Sequence, residues 1–137
     1  MRKFFCLSLF LALSMLCIAG AAPAGKKQVT ASVGQDGIQR VEVLAGEYFF
    51  DPDHIVVKVN VPVEIRIMKE PTIVPHNFVI KAPEAGMEIL ESLSSEPKTI
   101  TFKPTKIGIY TFYCDKKLLF FKSHRARGME GVLEVRE

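Results

Sequence analysis

Between Ile55 and Ile67 a β-branched residue stands at every second position, and this run leaves little choice of local structure. Ile55, Val57, Val59 and Val61 alternate with Val56, Lys58, Asn60 and Pro62, and Val63, Ile65 and Ile67 alternate with Glu64 and Arg66. A period of two in β-branched residues, broken by a proline that cannot donate to a ladder, predicts two strands and no helix. The same texture recurs along the chain. Val41 and Val43 alternate before Ala45-Gly46, and Tyr48-Phe49-Phe50 leads into an Asp51-Pro52-Asp53 turn. Further strands are expected over His76–Ile80, Lys98–Phe102, Ile109–Cys114 and Val132–Arg136.

Residues 81–97 are the least decided, with proline and glycine in front and a possible helical turn around Met87–Leu93. Seven or eight short strands, with turn signals at intervals of about ten residues and no long amphipathic helix, describe an all-β chain folded as an antiparallel β-sandwich.

The N-terminus stands apart from this pattern. Arg2 and Lys3 precede an apolar run from Phe4 to about Gly20, followed by Ala19-Gly20-Ala21 and Ala22-Pro23-Ala24 as cleavage signals. Residues 1–24 therefore read as a secretory signal peptide, and the mature protein as periplasmic or secreted, with no stable membrane insertion after cleavage. Residues 25–38 read as a polar tether or first edge strand, and residues 39–137 as one compact domain. The formal net charge of +3 falls by two without Arg2 and Lys3, so charge gives no case for a nucleic-acid partner.

Cysteine usage carries more information. Cys6 and Cys17 lie in the signal, which leaves Cys114 alone in a compartment where cysteines usually pair. A buried apolar role is the plain alternative, but Cys114 is followed by His124 and Met129 within one stretch, Gly108–Gly131. Alternation places Cys114 in phase with Phe112 and Tyr110, and His76 in phase with Phe78 and Ile80. Both start from the inward face at one end of the sandwich and can converge. Two imidazoles, a thiolate and a thioether disfavour Mg²⁺ and Ca²⁺ and match the trigonal blue-copper arrangement with a weak axial Met. Zinc is the main competitor, although it gains little from Met.

With these residues assembled, the region from about Phe49 to Val135 resembles the cupredoxins, the plastocyanin- and azurin-type blue-copper β-sandwiches. The matching segments are F-D-P-D-H-I-V-V-K-V at 50–59, P-H-N-F-V-I at 75–80, G-I-Y-T-F-Y-C at 108–114 and H-R-A-R-G-M-E-G-V-L-E-V at 124–135. The resemblance implies a Greek-key sandwich with one copper ion held by His76, Cys114, His124 and Met129. It also implies that Asn77 ties the two ligand-bearing segments together by hydrogen bonds. The sequence departs from the family in the interval between Cys114 and His124, where Asp115–Ser123 form a longer insertion than usual.

Other residues receive secondary readings. His54 is expected as a solvated turn residue, and Met68 and Met87 as packing residues. Met87 and Glu88 are minor candidates for an extra ligand. Lys116, Lys117, Lys122, Arg125 and Arg127, against Asp115 alone, form a basic rim from Lys116 to Arg127 that suits an acidic redox partner protein. Leu118-Leu119-Phe120-Phe121 inside the rim reads as an apolar docking patch or as a lid over the metal. The functional expectation is an exported carrier of single electrons and not an enzyme. The alternatives are a periplasmic copper delivery or storage protein, and a mononuclear copper enzyme with an open coordination position.

Overall fold

The computed structural model describes residues 27–137, so the expected signal segment, with Cys6 and Cys17, lies outside the described residues. In chain order the strands are β1 (Gln28–Thr30), β2 (Ser32–Val33), β3 (Gln39–Gly46), β4 (Phe49–Asp51), β5 (His54–Lys58), β6 (Val63–Lys69), β7 (His76–Ala82), β8 (Met87–Leu93), β9 (Lys98–Phe102), β10 (Gly108–Tyr113) and β11 (Glu130–Arg136). They form two sheets, one ordered β1-β5-β11-β10-β7-β8 and the other β2-β3-β6-β9 with β4 on β3. Because the chain crosses between sheets, three pairings are parallel: β1 with β5, β11 with β5, and β3 with β6.

The alternation that predicts strands also builds the core. Val63, Ile65 and Ile67 on β6 face Val41 and Val43 on β3 and are all buried, while Glu64 and Arg66 turn away from them. The expected first edge strand is split between the layers, β1 closing one sheet and β2 the other. At the start of β3, buried Gln39 donates from Nε2 to the carbonyls of Lys58 (2.9 Å) and Val61 (3.2 Å) and accepts the Lys58 N–H at 2.6 Å. That amide supplies the backbone partners that the β5–β6 turn lacks.

Two expectations need correction. Met87–Leu93 is a strand, β8, paired with β7 from His76↔Leu93 to Ala82↔Met87, and not a helical turn. Only Pro83–Ala85 just before it form a short 3₁₀ turn. His54 is not in the turn but on β5, half-buried, with Nε2 2.9 Å from Glu134 Oε2 on β11.

The end of the sandwich that carries the candidate site rests on three phenylalanines. Phe50, Phe78 and Phe112 pack with centroids 5.1–5.7 Å apart, two contacts edge-on and one stacked, an arrangement that favours aromatic pairs beyond their area burial. The Phe112 ring lies over its cross-strand partner Gly131. A Cβ on Gly131 would fall 2.3 Å from that ring and 2.6 Å from the Asp53 carbonyl oxygen. Phe78 and Phe112 each stand two residues from a candidate ligand, so this packing fixes where His76 and Cys114 begin.

Candidate metal centre

His76 opens β7 and Cys114 directly follows β10, and β7 and β10 pair through Phe112↔Ile80 and Tyr113↔Val79. Neighbouring strands therefore deliver imidazole and thiol to the same sheet end. His124 arrives from the inserted segment. Its N–H donates to the Lys116 carbonyl at 2.9 Å, which pinches the insertion at its base and returns the chain beside Cys114. A 3₁₀ turn, Arg125–Arg127, closes with Gly128 at φ 101°, and the Met129 N–H then donates to the His124 carbonyl at 3.0 Å. The Cys114 N–H donates to the Met129 carbonyl at 3.0 Å, so Met129 is bonded through its backbone to both neighbours and is fully buried.

The polar atoms of three buried residues meet. Cys114 Sγ lies 3.4 Å from His124 Nδ1 and 3.8 Å from His76 Nδ1, and the two Nδ1 atoms are 3.1 Å apart. A point equidistant from three atoms so spaced is about 2 Å from each, the length of a bond from an imidazole nitrogen to a transition metal. Burial lowers the His76 pKa from its ordinary 6.5 to about 4, helped by repulsion from His124 when that ring is protonated and from the Lys69 ammonium. Burial, with Arg127, lowers that of His124 as well. Both rings are thus neutral near pH 7 and bring lone pairs together in a dry site. Burial also raises the Cys114 pKa, against hydrogen bonds from the backbone N–H groups of Asn77 (3.4 Å from Sγ) and Lys116. A protonated thiol cannot satisfy both rings at once. A cation can, and the softness of sulfur with two imidazoles selects one copper ion over hard cations. Nδ1 is the His76 ring nitrogen that faces the other two donors, while Nε2 is buried with no hydrogen-bond partner among the described residues.

The surroundings hold this geometry. Asn77 is joined twice to Asp115: its Nδ2 donates to Asp115 Oδ1 at 2.7 Å, and its Oδ1 accepts the Asp115 N–H at 3.0 Å. Above the rings stands Tyr48, edge-on to His124 (centroids 5.0 Å apart) and to His76 (6.3 Å), with the Arg127 guanidinium 4.6 Å over its own face. Local pattern puts Tyr48 in the aromatic run that leads into the Asp51-Pro52-Asp53 turn and assigns it no part in the site. The available signal was three consecutive aromatics, Tyr48-Phe49-Phe50, which a strand of period two cannot all bury on one face.

The secondary candidates do not come to the site. Met87 and Glu88 pair with Ala82 and Lys81, at the far end of the β7–β8 hairpin from His76. Among the described residues no Asp or Glu joins His76, Cys114 and His124 as a metal-holding group. The basic rim is divided: Arg125 pairs with Glu130 at 2.8 Å and covers Tyr113 at 4.3 Å, and Arg127 covers Tyr48. Lys116, Lys117 and Lys122 enter no salt bridge among the described residues.

Comparison with known proteins gives an independent line. No curated protein sequence matches the chain. Among solved structures, the metal-binding domain of the Cu(I)-exporting P-type ATPase CopA of Streptococcus pneumoniae D39, with Cu(I), is 25% identical with a TM-score of 0.62, covering 82% of this chain and 98% of that one. A copper binding protein in its apo form, solved by NMR, is 22% identical over 82% of this chain and 100% of its own, with a TM-score of 0.60. Auracyanin A, a "blue" copper protein from Chloroflexus aurantiacus, is 20% identical over 73% and 100%, with a TM-score of 0.54. The last two likenesses establish the fold alone. The family model for the cupredoxin-like domain matches residues 7–129, and by that match the chain belongs to the cupredoxin-like family.

Proposed function

We propose that this is an exported copper protein that carries single electrons between redox partners, in which His76, Cys114, His124 and Met129 would hold the ion. The observation that carries the reading is the buried triangle of two Nδ1 atoms and one Sγ, of a size to hold one metal ion. Copper bound there supplies a one-electron couple. The protein's part is to keep one geometry for both oxidation states, which keeps reorganisation small. Paired strands fix His76 and Cys114, the Asn77–Asp115 bonds lock their segments, and the Asn77 N–H stabilises negative charge on sulfur. His124 lines an apolar hollow of about 380 Å³ with Tyr48, Pro75, Leu118 and Phe121, which gives an electron a short path to the surface. The signal-like residues 1–24 and the lone Cys114 support a periplasmic or secreted location.

The visible and EPR spectra of copper-loaded protein test the reading. An electron carrier shows an intense thiolate-to-copper band in the oxidised form, absent in Cys114→Ser, with reversible one-electron cycling and slow loss to chelators. The likeness to the CopA metal-binding domain favours a second reading, copper delivery. A colourless protein that yields Cu(I) readily to a competing ligand would replace the first reading by that one.

A further inference from the structure

The inserted segment does more than return the chain to His124. Beyond the pinch at Lys116 and His124, the Phe121 N–H donates to the Leu118 carbonyl at 3.0 Å, with Leu119 at φ 47°, and Leu118–Phe121 fold into a tight turn. All four side chains are exposed, Phe120 to 84%. Ile73, on the loop that precedes Pro75, is exposed to 102%, and it lines the same hollow as Leu118 and Phe121, so both loops project from one face. Lys116 and Lys117 precede the tip and Lys122 follows it, all without salt bridges among the described residues.

We propose that this face is a membrane-docking element: Leu118–Phe121 and Ile73 enter the interfacial layer of an anionic bilayer while Lys116, Lys117 and Lys122 engage its headgroups. The contact is peripheral and independent of the metal the site holds. Two features favour a bilayer over a protein surface for this tip. Its turn closes a backbone hydrogen bond internally, which lowers the cost of leaving water. Cations on both sides of an apolar tip are the pairing that holds amphipathic elements at anionic lipid surfaces. Docking in this way turns the His124 end of the sandwich toward the membrane.

The protein contains no tryptophan, so Phe120→Trp in the full chain reports on the tip alone and not on the apolar N-terminal run. With phosphatidylcholine vesicles containing roughly one-third phosphatidylglycerol, its emission is expected to shift to the blue, whereas Leu90→Trp on β8 is expected not to respond. Adding Lys116→Gln, Lys117→Gln and Lys122→Gln should weaken the affinity read by that shift by about tenfold or more. Serine at Leu118, Leu119 and Phe121 should weaken it similarly. Vesicle binding with no change at the tip overturns the proposal, as does an equal response to neutral and anionic vesicles. A concentration-dependent shift without lipid would assign the face to a second copy. A response to a glutamate–leucine copolymer and not to vesicles would assign it to an acidic protein, and either result also overturns the proposal.

Discussion

Asn77 and Asp115 are joined by two reciprocal hydrogen bonds, 2.7 and 3.0 Å long, across the seam between the segments that carry His76 and Cys114. Each residue directly follows a candidate ligand, so a movement of either strand end is passed at once to the other. Asn77→Ala removes both bonds and leaves the Asp115 N–H to find water. The expected cost is about 2–3 kcal/mol in denaturant unfolding. The visible band of the copper form should also shift and broaden as the sulfur gains freedom. An unchanged spectrum would show that the ligands are held by the strands alone.

How far the sequence discloses this depends on the distance between interacting residues. β6 and β3 are readable because alternation is a local property and both strands have one buried face. His76 and Cys114 are readable as a pair because each sits in phase with a phenylalanine two residues away. β8 is misleading for a local reason: Met87, Leu90 and Leu93 are spaced by threes like a helical stripe, yet Leu90 points outward at 66% exposure while Met87, Ile89 and Leu93 turn in. The partners of His54 and Tyr48 are out of reach of any local pattern. Glu134 is 80 positions from His54, and Tyr48 meets His124 only after the insertion has folded back onto Lys116.

The metal-free protein should lose stability in acid over a defined window. Burial holds the His76 pKa at about 4 in the folded chain, against 6.5 when exposed. Between these values the unfolded chain binds a proton that the folded chain does not, so stability falls as pH drops from about 6.5 towards 4 and is unaffected above that window. His124, lowered in the same direction, adds to the slope. Thermal unfolding of apo protein across this range should show the loss, and His76→Gln should flatten it. Copper binding must also displace the proton of the Cys114 thiol, so copper affinity, measured by competition, should fall with decreasing pH.

Gly131→Ala should be costly although it adds a single methyl group. The new carbon would meet the Phe112 ring and the Asp53 carbonyl oxygen at distances no Cβ tolerates. Phe112 cannot step aside, because Phe78 stacks on it at 5.1 Å and Phe50 meets it edge-on at 5.3 Å. Overpacking of this kind costs about 1–3 kcal/mol. The disturbance should reach Cys114, two residues from Phe112, so the copper spectrum is expected to change together with the unfolding midpoint. Loss of stability with an intact spectrum would separate the aromatic floor from the ligands.

Tyr48 offers the sharpest separation between backbone strain and site protection. It occupies φ 65°, in the two-residue turn between β3 and β4, where glycine is the usual occupant. A side chain held there costs about 1 kcal/mol. The ring is held in place by its edge contacts with both histidines and by the Arg127 guanidinium on its face. Tyr48→Gly and Tyr48→Ala both remove the ring, but only glycine relieves the backbone, so the glycine variant should be the more stable by about 1 kcal/mol. Both should release copper to a chelator about tenfold faster or more, because His124 and His76 lose the wall that fixes their rings. Equal stability of the two variants would mean that the turn carries no strain, and unchanged release would mean that Tyr48 does not guard the site.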